Sequence, residues 1–353
     1  MYFCAQIREN TQQKGNILQE MKIIVDDKIP YIREALSGIT NDTLYIKGAD
    51  ISAEDVREAD ALIVRTRTRC DRRLLEGSKV RFVATATIGI DHLDTDYLDR
   101  AGIRWMNCPG CNAASVGQYI ETALISMKRD FGFDTAKATL GIVGYGHVGH
   151  EVKKVAEKMG MNILVNDPFL DDDTLVTLNE ICRKADIITF HVPLTYDGTH
   201  PTFHLANSRF MNDIGQRGVT IINTSRGGVI DEKALLHAMD DGIVAHAIID
   251  TWEGEPNINP ELLRRAYIAT PHIAGYSADG KVNADNMVIE ALCKFFGMDN
   301  PGIITPPQLP AGFHYNGDPL ELYNPLYDSQ LLKAHPEAFE EQRGNYHLRR
   351  EKC

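Results

Sequence analysis

Several features are missing from the 353-residue sequence, and each absence excludes a class of protein. No apolar run approaches the ~18–20 residues that a transmembrane helix requires, which predicts that the chain does not span a membrane. The first twenty residues are polar and mixed in charge, so they lack the apolar core of a secretory signal. Basic residues are outnumbered, since 37 lysines and arginines face 49 aspartates and glutamates, a net charge of −12. That balance lacks the basic footprint of a nucleic-acid binder and gives no attraction to an anionic membrane surface.

Cysteine is also scarce and shows no pairing pattern. Seven cysteines, an odd number, are scattered along the chain, which favours a reducing cytosol over a disulfide framework. The close pair Cys108 and Cys111 has no second CxxC with which to complete a four-thiolate zinc site. We therefore predict no bound metal and a cytoplasmic location. Redox chemistry at Cys108 and Cys111 is kept as a minor alternative to a coincidental spacing.

The hydrophobic pattern alternates short β-rich segments with helical ones, which is typical of parallel sheets joined by crossover helices. A first series of β-rich segments lies at 22–26, 60–66, 79–87 and 103–108. A long predicted helix over 113–131 follows, and the series restarts at 138–144, 161–167, 185–193, 218–225 and 243–250. We therefore predict an α/β protein with two doubly wound parallel-sheet domains, the second over about 113–276. A helix over 277–297 is expected to return to the first domain.

The two ends of the chain have a different character. Residues 1–20 show neither strand alternation nor an apolar helical face, so we predict a flexible extension or translation from a start upstream of the usual one. Residues 298–353 begin with a stretch rich in proline and glycine and continue with an amphipathic helical pattern. Their aromatic and aliphatic content predicts a linker followed by a small appendage that packs on a second subunit.

Residues 144–149, Gly-Tyr-Gly-His-Val-Gly, form a dinucleotide-binding signature because they follow an apolar strand and open a helix. In such a loop Gly144 permits the tight turn, Gly146 lets the backbone approach a pyrophosphate, and Gly149 lets helix and strand pack closely. Asp167 ends the next predicted strand, where a carboxylate binds the ribose hydroxyls. No arginine or lysine accompanies it in VNDPFLDDD, so we predict NAD rather than NADP.

Three polar residues follow apolar strands of the second predicted domain, where parallel sheets place their ligand sites. Arg226 could hold a carboxylate with two parallel hydrogen bonds, His272 suits reversible proton transfer, and Glu255 could orient the imidazole. Oxidation of an alcohol beside a carboxylate needs a base for the hydroxyl proton and a cation for the carboxylate, and these residues supply both. Spacing alone leaves open that Arg226 holds a loop, that Glu255 lies in a solvated turn and that His272 is a core histidine. Other histidines in motif-like positions are interpreted as structural: His147, His150, His200 and His204.

Five segments, in order, carry a family resemblance: GYGHVG (144–149), HVPL (191–194), NTSRGGVID (223–231), DTWEGEP (250–256) and TPHIAGY (270–276). Together they resemble the D-isomer-specific 2-hydroxyacid dehydrogenases, over about residues 21–297. The resemblance implies that His272 is the acid/base, that Glu255 is its hydrogen-bonded partner, and that Arg226 holds the carboxylate and the reacting oxygen. The implied cofactor contacts are Gly144, Tyr145, Gly146, His147, Val148, Gly149, Asp167, Val192, Thr224, Ser225, Asp250 and Gly275.

The resemblance also implies how the domains are arranged. An NAD-binding Rossmann domain over 113–276 is expected to be inserted in a flavodoxin-like substrate domain over 21–112 and 277–297. The active site is expected in the cleft between these domains. Residues 298–353 are expected to form a linker and a C-terminal dimerisation segment.

The first predicted domain contains a local concentration of positive charge within an acidic protein. In VRTRTRCDRR (64–73), Arg65, Arg67 and Arg69 alternate and would share one face of an extended chain. With the hydroxyls of Thr85 and Thr87, these arginines suit a phosphomonoester dianion, and a solvated basic loop is the plainer alternative.

Within the family, the motifs are most similar to the members that oxidise a phosphorylated four-carbon 2-hydroxy acid at C2 in vitamin B6 biosynthesis. That similarity implies a homodimer and a small phosphorylated hydroxy-acid substrate. The implied substrate contacts are Arg65, Thr66, Thr87 and Tyr276. Two alternatives stay open: a related dehydrogenase for 3-phosphoglycerate or glyoxylate, and a non-catalytic NAD-sensing protein similar to transcriptional corepressors of this fold.

Overall fold

The computed structural model describes residues 21–352, so the predicted flexible extension at 1–20 lies outside the described residues. The chain divides into two compact units. Unit 1 takes the residues up to Asn112 together with Ala278–Gln308, and unit 2 takes Ala113–Ser277 together with the C-terminal segment from Leu309. Within the described part of the chain, no helix combines the length and the apolar character that crossing a membrane demands.

Unit 1 is built on a five-stranded parallel sheet. Its elements begin with β1 (Ile23–Asp26), α1 (Ile32–Ser37), β2 (Thr43–Ile46), α2 (Ala53–Val56), β3 (Ala61–Val64), α3 (Arg72–Leu75), β4 (Phe82–Thr85), α4 (Thr95–Arg100) and β5 (Arg104–Met106). Alternate residues of β1 pack into two different apolar clusters, Ile23 and Val25 into one and Ile24 into the other, so both faces of the sheet are covered. The strand order β2-β1-β3-β4-β5 is that of flavodoxin-like folds.

Unit 2 contains a six-stranded parallel sheet. Its elements are α5 (Ala113–Phe131), β6 (Thr139–Val143), α6 (His147–Lys158), β7 (Asn162–Asn166), α7 (Leu178–Lys184), β8 (Ile187–Phe190), α8 (Ser208–Ile214), β9 (Val219–Asn223), α9 (Glu232–Asp240), β10 (Val244–Ile249), α10 (Pro260–Arg265) and β11 (Ile268–Ala269). The strand order is β11-β10-β9-β8-β6-β7. The chain runs from β6 outward to β7 and returns to β8 on the other side of β6. Parallel sheets bind ligands at the carboxyl ends of their strands beside such a reversal.

The last helices divide between the two units. Helix α11 (Ala278–Phe296) belongs to unit 1. The C-terminal segment of unit 2 contains α12 (Pro319–Leu322), α13 (Pro325–Ala334) and α14 (Phe339–Gly344). Leu332 and Phe339 are buried in an apolar core of unit 2, and Ser329 Oγ accepts a hydrogen bond from the Ala269 N–H at 2.9 Å. The amphipathic pattern of this segment thus packs on the chain's own sheet, and its role in dimerisation stays a prediction.

The predicted α/β class with two parallel sheets is confirmed. Each β-rich segment identified in the sequence contains a strand, and the two long predicted helices correspond to α5 and α11. Two strands were missed. β2 is partly exposed along its length, and β11 has two residues, so neither produces an apolar run that a sequence pattern can detect.

Candidate active site

The residues predicted to contact the cofactor lie at the carboxyl ends of the strands of unit 2. Gly144 follows β6, Val192 lies just beyond β8, Thr224 and Ser225 follow β9, and Asp250 follows β10. Because parallel strands end at the same edge of a sheet, these separate segments share one edge.

The glycine turn between β6 and α6 has the backbone that a dinucleotide phosphate requires. Gly144 has a φ of 95°, and a Cβ there would lie 2.6 Å from the carbonyl oxygen of His191. A Cβ on Gly149 would overlap the carbonyl oxygen of Gly144, so only glycine allows this close packing of helix on strand. A Cβ on Gly146 would point into open space. This open cradle, next to the first N–H groups of α6, fits the pyrophosphate of NAD.

Asp167 lies beside the glycine turn and connects it to the end of β7. Its Oδ2 accepts a hydrogen bond from the Tyr145 N–H at 2.9 Å, and its Oδ1 accepts one from the Phe169 N–H at 3.1 Å. A carboxylate held here suits two ribose hydroxyls and repels a 2′-phosphate. The geometry therefore fits NAD.

His191 also belongs to this edge, although the sequence analysis assigned it no role. Its Nε2 lies 2.9 Å from Thr189 Oγ1, and its Nδ1 lies 3.4 Å from Thr224 Oγ1. Burial lowers the pKa of His191 to about 3, so the ring is neutral. The neutral ring links the ends of β8 and β9. Its position directly after an apolar strand was the available sequence signal.

His272 and Glu255 form a hydrogen-bonded pair across two loops. Nδ1 of His272 lies 2.9 Å from Oε2 of Glu255, while Oε1 of Glu255 accepts a hydrogen bond from the Trp252 N–H at 2.9 Å. Burial raises the pKa of Glu255, but the hydrogen bond and charge of His272 outweigh that effect and hold this pKa below its usual range. The ionised carboxylate favours the tautomer with a proton on Nδ1, which makes Nε2 the atom for proton exchange with a substrate.

The backbone around His272 is fixed by Asp250. The φ of His272 is 59°, a left-handed value that residues other than glycine rarely adopt. The buried carboxylate of Asp250 accepts hydrogen bonds from the N–H groups of Ile273 and Ala274, at 2.8 and 2.9 Å, and from the Thr270 hydroxyl at 2.6 Å. Such a conformation persists where surrounding contacts over-determine it. Asp250 thus positions the loop of His272, and its contact with a cofactor stays a prediction.

Arg226 lies in the loop after β9, which packs on the loop that carries Glu255. A Cβ on Gly227 would overlap the backbone of Trp252, so the two loops are in direct contact. Nη1 of Arg226 donates a hydrogen bond to the carbonyl oxygen of Ser225 at 2.9 Å. The structure therefore places the loop of Arg226 against that of Glu255.

An acidic cluster supports the Glu255 loop. Oε1 of Glu232 accepts a hydrogen bond from the Glu253 N–H at 2.8 Å. Burial, with repulsion from neighbouring carboxylates, raises the pKa of Glu232 to about 7. The Glu253 carboxylate in turn lies 2.9 Å from Nε2 of His204, which accounts for His204 as a structural histidine.

The other histidines singled out in the sequence lie apart from the His272 pair. His147 is the exposed first residue of α6, and His150 stacks on the Tyr145 ring with 3.9 Å between centroids. His200 makes an edge-to-face contact with Phe169. In the part of the chain that the structure describes, no group of histidine, cysteine and acidic residues is arranged to hold a metal ion.

Comparisons with known proteins agree with this geometry. Residues 113–274 match the family model for the D-isomer specific 2-hydroxyacid dehydrogenase, NAD binding domain. An erythronate-4-phosphate dehydrogenase from Bacteroides fragilis is 51% identical over 339 residues, which cover 94% of this chain and 97% of that relative. The chain belongs to the erythronate-4-phosphate dehydrogenases.

Further relatives are similar to this chain over most of its length. An erythronate-4-phosphate dehydrogenase from Porphyromonas gingivalis is 39% identical over 341 residues, 92% of each chain. The crystal structure of a cofactor (NAD+)-bound 3-phosphoglycerate dehydrogenase from Entamoeba histolytica superposes with a TM-score of 0.67 at 28% identity, covering 82% of this chain and 100% of that one. As an erythronate-4-phosphate dehydrogenase family member, the chain is an NAD-dependent oxidoreductase with a Rossmann-type fold, and both predictions are confirmed.

The substrate residues predicted for unit 1 of this dehydrogenase follow two adjacent strands. Arg65 and Thr66 come after β3, and Thr87 lies two residues beyond β4. Thr87 Oγ1 lies 2.6 Å from Thr85 Oγ1 and donates a hydrogen bond to the Gly89 carbonyl oxygen at 3.1 Å. These residues share the carboxyl edge of the unit 1 sheet.

The expectation that Arg65, Arg67 and Arg69 share one face is wrong. The chain turns directly after Arg65 instead of extending β3. Nη1 of Arg65 donates a hydrogen bond to the Lys28 carbonyl oxygen at 3.0 Å, whereas Nη1 of Arg69 donates one to that of Asp91 at 2.9 Å. Alternation places residues on one face only while the backbone is extended, so the guanidinium groups diverge.

The structure gives no support to redox chemistry at Cys108 and Cys111. Both cysteines are buried in unit 1. Cys108 Sγ lies 3.4 Å from the Thr85 carbonyl oxygen, and burial raises the pKa of the Cys108 thiol. A buried, protonated thiol is unreactive.

Arg349 connects the C-terminal segment to the loop after His272, a contact that the sequence analysis did not predict. The side chain is 6% exposed. It donates hydrogen bonds to the carbonyl oxygens of Ile273, Ala274 and Tyr276, at 3.0, 2.6 and 2.7 Å. The C-terminal segment therefore fixes the backbone beside His272, the predicted acid/base, and at Tyr276, the predicted substrate contact.

Proposed function

We propose that this chain oxidises 4-phospho-D-erythronate at C2 to 3-hydroxy-2-oxo-4-phosphooxybutanoate with NAD, in vitamin B6 biosynthesis. The observation that carries the proposal is the His272–Glu255 pair, at 2.9 Å, in a chain 51% identical to an erythronate-4-phosphate dehydrogenase. An imidazole paired with a carboxylate is suited to removing the proton of an alcohol.

The proposed chemistry assigns a distinct role to each of three residues. Bound NAD supplies the acceptor for the hydride from C2. His272 takes the hydroxyl proton at Nε2, and Glu255 stabilises the resulting imidazolium through Nδ1. Arg226 binds the substrate carboxylate and the reacting oxygen, because a guanidinium matches two oxygens at once. In the reverse direction His272 returns the same proton.

The residues proposed to hold NAD are those at the carboxyl edge of the unit 2 sheet. The backbone of Gly144–Gly149 would hold the pyrophosphate, and Asp167 would bind the adenosine ribose. The proposed remaining contacts are Val192, Thr224, Ser225, Asp250 and Gly275.

The substrate phosphate is proposed to bind in unit 1. Arg65 supplies a cation, and Thr66 and Thr87 supply hydroxyl groups at the carboxyl edge of that sheet. Tyr276, held by Arg349, is the proposed substrate contact from unit 2. The three groups of unit 1 would select a hydroxy acid that carries a phosphomonoester.

The chain is also proposed to form a cytoplasmic homodimer through its C-terminal segment. Two large apolar side chains of α13 are exposed, Tyr327 at 70% and Leu331 at 49%. Burying such side chains on a second copy would be favourable. Size-exclusion chromatography with light scattering measures the mass in solution, and a monomer at micromolar concentration would contradict the dimer.

The substrate proposal is tested by a panel of 2-hydroxy acids. The purified chain is mixed with NAD and 4-phospho-D-erythronate, 3-phosphoglycerate or glycolate, together with a system that removes the keto acid, and NADH formation is followed. We expect the highest kcat/KM with 4-phospho-D-erythronate. A parallel series with NADP should give a lower kcat/KM, because the Asp167 carboxylate repels a 2′-phosphate.

The outcomes separate the alternatives. A preference for 3-phosphoglycerate or glycolate would assign the chain to another dehydrogenase activity. NAD binding without turnover of any 2-hydroxy acid would favour an NAD-sensing protein. Either result would overturn the proposed reaction.

A further inference from the structure

A second cation approaches Glu255 from the C-terminal segment. Nη1 of Arg343, on α14, lies 3.9 Å from Oε2 of Glu255, and each side chain is 18% exposed. That distance allows a strong electrostatic interaction but is too long for a hydrogen bond. Oε2 is also the oxygen that pairs with Nδ1 of His272 at 2.9 Å. One carboxylate oxygen is therefore shared between an imidazole and a guanidinium.

The position of Arg343 is set by the packing of its helix. Phe339, four residues earlier on α14, is 1% exposed and lies in an apolar core of unit 2. Residues four apart share a helix face, so the buried ring directs Arg343 toward the same side. The fold thus holds the guanidinium beside Glu255.

Arg343, which is partly buried, and Arg349, which is buried, differ in how they are bound. Nε, Nη1 and Nη2 of Arg349 all donate hydrogen bonds to acceptors in unit 2. The buried Nε of Arg343 has no hydrogen-bond partner among residues 21–352. A purely structural arginine is expected to satisfy its donors as Arg349 does. The contact of Arg343 with Glu255 therefore indicates an electrostatic role.

Most titratable groups around the pair are carboxyl groups. Glu232 and Glu253 lie near Glu255, Asp231 lies near Glu232, and Asp250 lies near His272. Negative charge beside an imidazole favours its protonated form. A base that is already protonated cannot accept the hydroxyl proton of a substrate. Arg343 supplies positive charge against this acidic surrounding.

We propose that Arg343 is a positioning residue that keeps Glu255 ionised while limiting how tightly the Glu255–His272 pair holds its proton. The proposal rests on the proposed function, in which His272 accepts the hydroxyl proton. The guanidinium shares Oε2 with the imidazole and repels the imidazolium form. Its positive charge thus extends the pH range in which the base is available toward lower pH.

The test compares two neutral variants with a charged one. Arg343→Gln and Arg343→Met both remove the charge, and Arg343→Met keeps an apolar side chain in place of the arginine stem. Arg343→Lys keeps the charge. Arg264→Gln is the matched control, because Arg264 is 70% exposed in the same unit and pairs with Glu261. For each variant, kcat/KM with 4-phospho-D-erythronate is measured against pH. The His272 ring resonance, assigned by its loss in His272→Asn, is titrated by NMR.

We expect both neutral variants to move the acidic limb of the kcat/KM profile, and the NMR midpoint of His272, upward by about 0.5 pH unit. Arg343→Lys and Arg264→Gln should stay at the wild-type midpoint. Unchanged midpoints in the folded neutral variants, or equal shifts in Arg343→Lys and Arg343→Gln, would overturn the proposal. If no 2-hydroxy acid is oxidised, the proposed function fails, and the NMR titration still decides the role of Arg343.

Discussion

The backbone N–H of His272 donates a hydrogen bond to the carbonyl oxygen of Asp250 at 2.8 Å, which fastens the proposed acid/base residue to the end of β10. The side chain of Asp250 binds the next two N–H groups of the same loop. Arg349 donates hydrogen bonds to carbonyl oxygens of that loop. The position of the imidazole is thus determined by backbone contacts as well as by Glu255.

His272→Asn is expected to abolish turnover while sparing NAD binding. Asparagine cannot accept the hydroxyl proton, and general acid–base catalysis contributes about 10²- to 10⁴-fold to rate. Steady-state kinetics gives the loss in kcat, and fluorescence titration gives the Kd for NAD. A variant with wild-type kcat would contradict the acid/base role.

Two glycine substitutions in the turn should have different effects on NAD affinity and on thermal stability. Gly146→Ala places a methyl group in the open cradle, so the protein should fold normally and its Kd for NAD should rise about tenfold or more. Gly149→Ala forces a clash with Gly144 and should lower the Tm as well. Thermal unfolding without NAD separates the two. A Gly146→Ala variant with unchanged NAD affinity would argue against the pyrophosphate position.

Arg349→Met should destabilise the chain and reduce kcat. The substitution removes the hydrogen bonds of the guanidinium to the carbonyl oxygens of Ile273, Ala274 and Tyr276, and a hydrogen bond to a charged group contributes about 1.5–3 kcal/mol. Urea unfolding and kcat are the measurements. Lys352→Met removes a charge from an exposed position three residues away and should change neither. Similar losses of stability and kcat in both variants would show that these losses come from the change in net charge and not from the buried hydrogen bonds.

Asp285 should make unit 1 less stable as the pH rises. Burial raises the pKa of Asp285 from 3.8 to about 7, against the stabilising hydrogen bond from the Tyr31 N–H and the charges of Lys281 and Arg65. The folded state therefore binds more protons than the unfolded state between these values. The contribution of Asp285 to the free energy of unfolding therefore falls by at most about 1.4 kcal/mol per pH unit across that interval. Above pH 7 this contribution is constant.

Asp285→Asn should remove this dependence and raise the free energy of unfolding above pH 7 relative to wild type. Urea unfolding at several pH values measures the free energy of unfolding of each variant. Asp173→Asn, at an exposed loop position, is the control. Parallel curves for Asp285→Asn and wild type between pH 4 and 7 would contradict the prediction.

Much of the site could be predicted from short, contiguous motifs. The spacing of Gly144, Gly146 and Gly149 encodes a local backbone, and that backbone is observed. The alternation of apolar strands and helices encodes parallel sheets, so residues directly after strands were expected at one edge. The arginine series failed for a related reason, because the chain turns after Arg65 and ends the alternation.

Other contacts carried no signal in the sequence. The position of His191 after an apolar strand did not indicate which side chains its ring would contact. Arg343 and Arg349 lie in a segment whose charges suggested only an amphipathic helix. Their partners are more than 70 positions away, and no periodicity relates them.

The sequence by itself determined the two parallel sheets and the dinucleotide turn, because each depends on residue type and local spacing. It also predicted His272, Glu255 and Arg226 as the catalytic set. Tertiary structure decided which polar groups meet: Glu255 with Arg343, Asp250 with the His272 loop, and Arg349 with the carbonyl oxygens beyond it. Periodicity fixes the direction of a side chain within its own element. The partner of a buried charge depends on how separate elements pack, and only the folded chain specifies that.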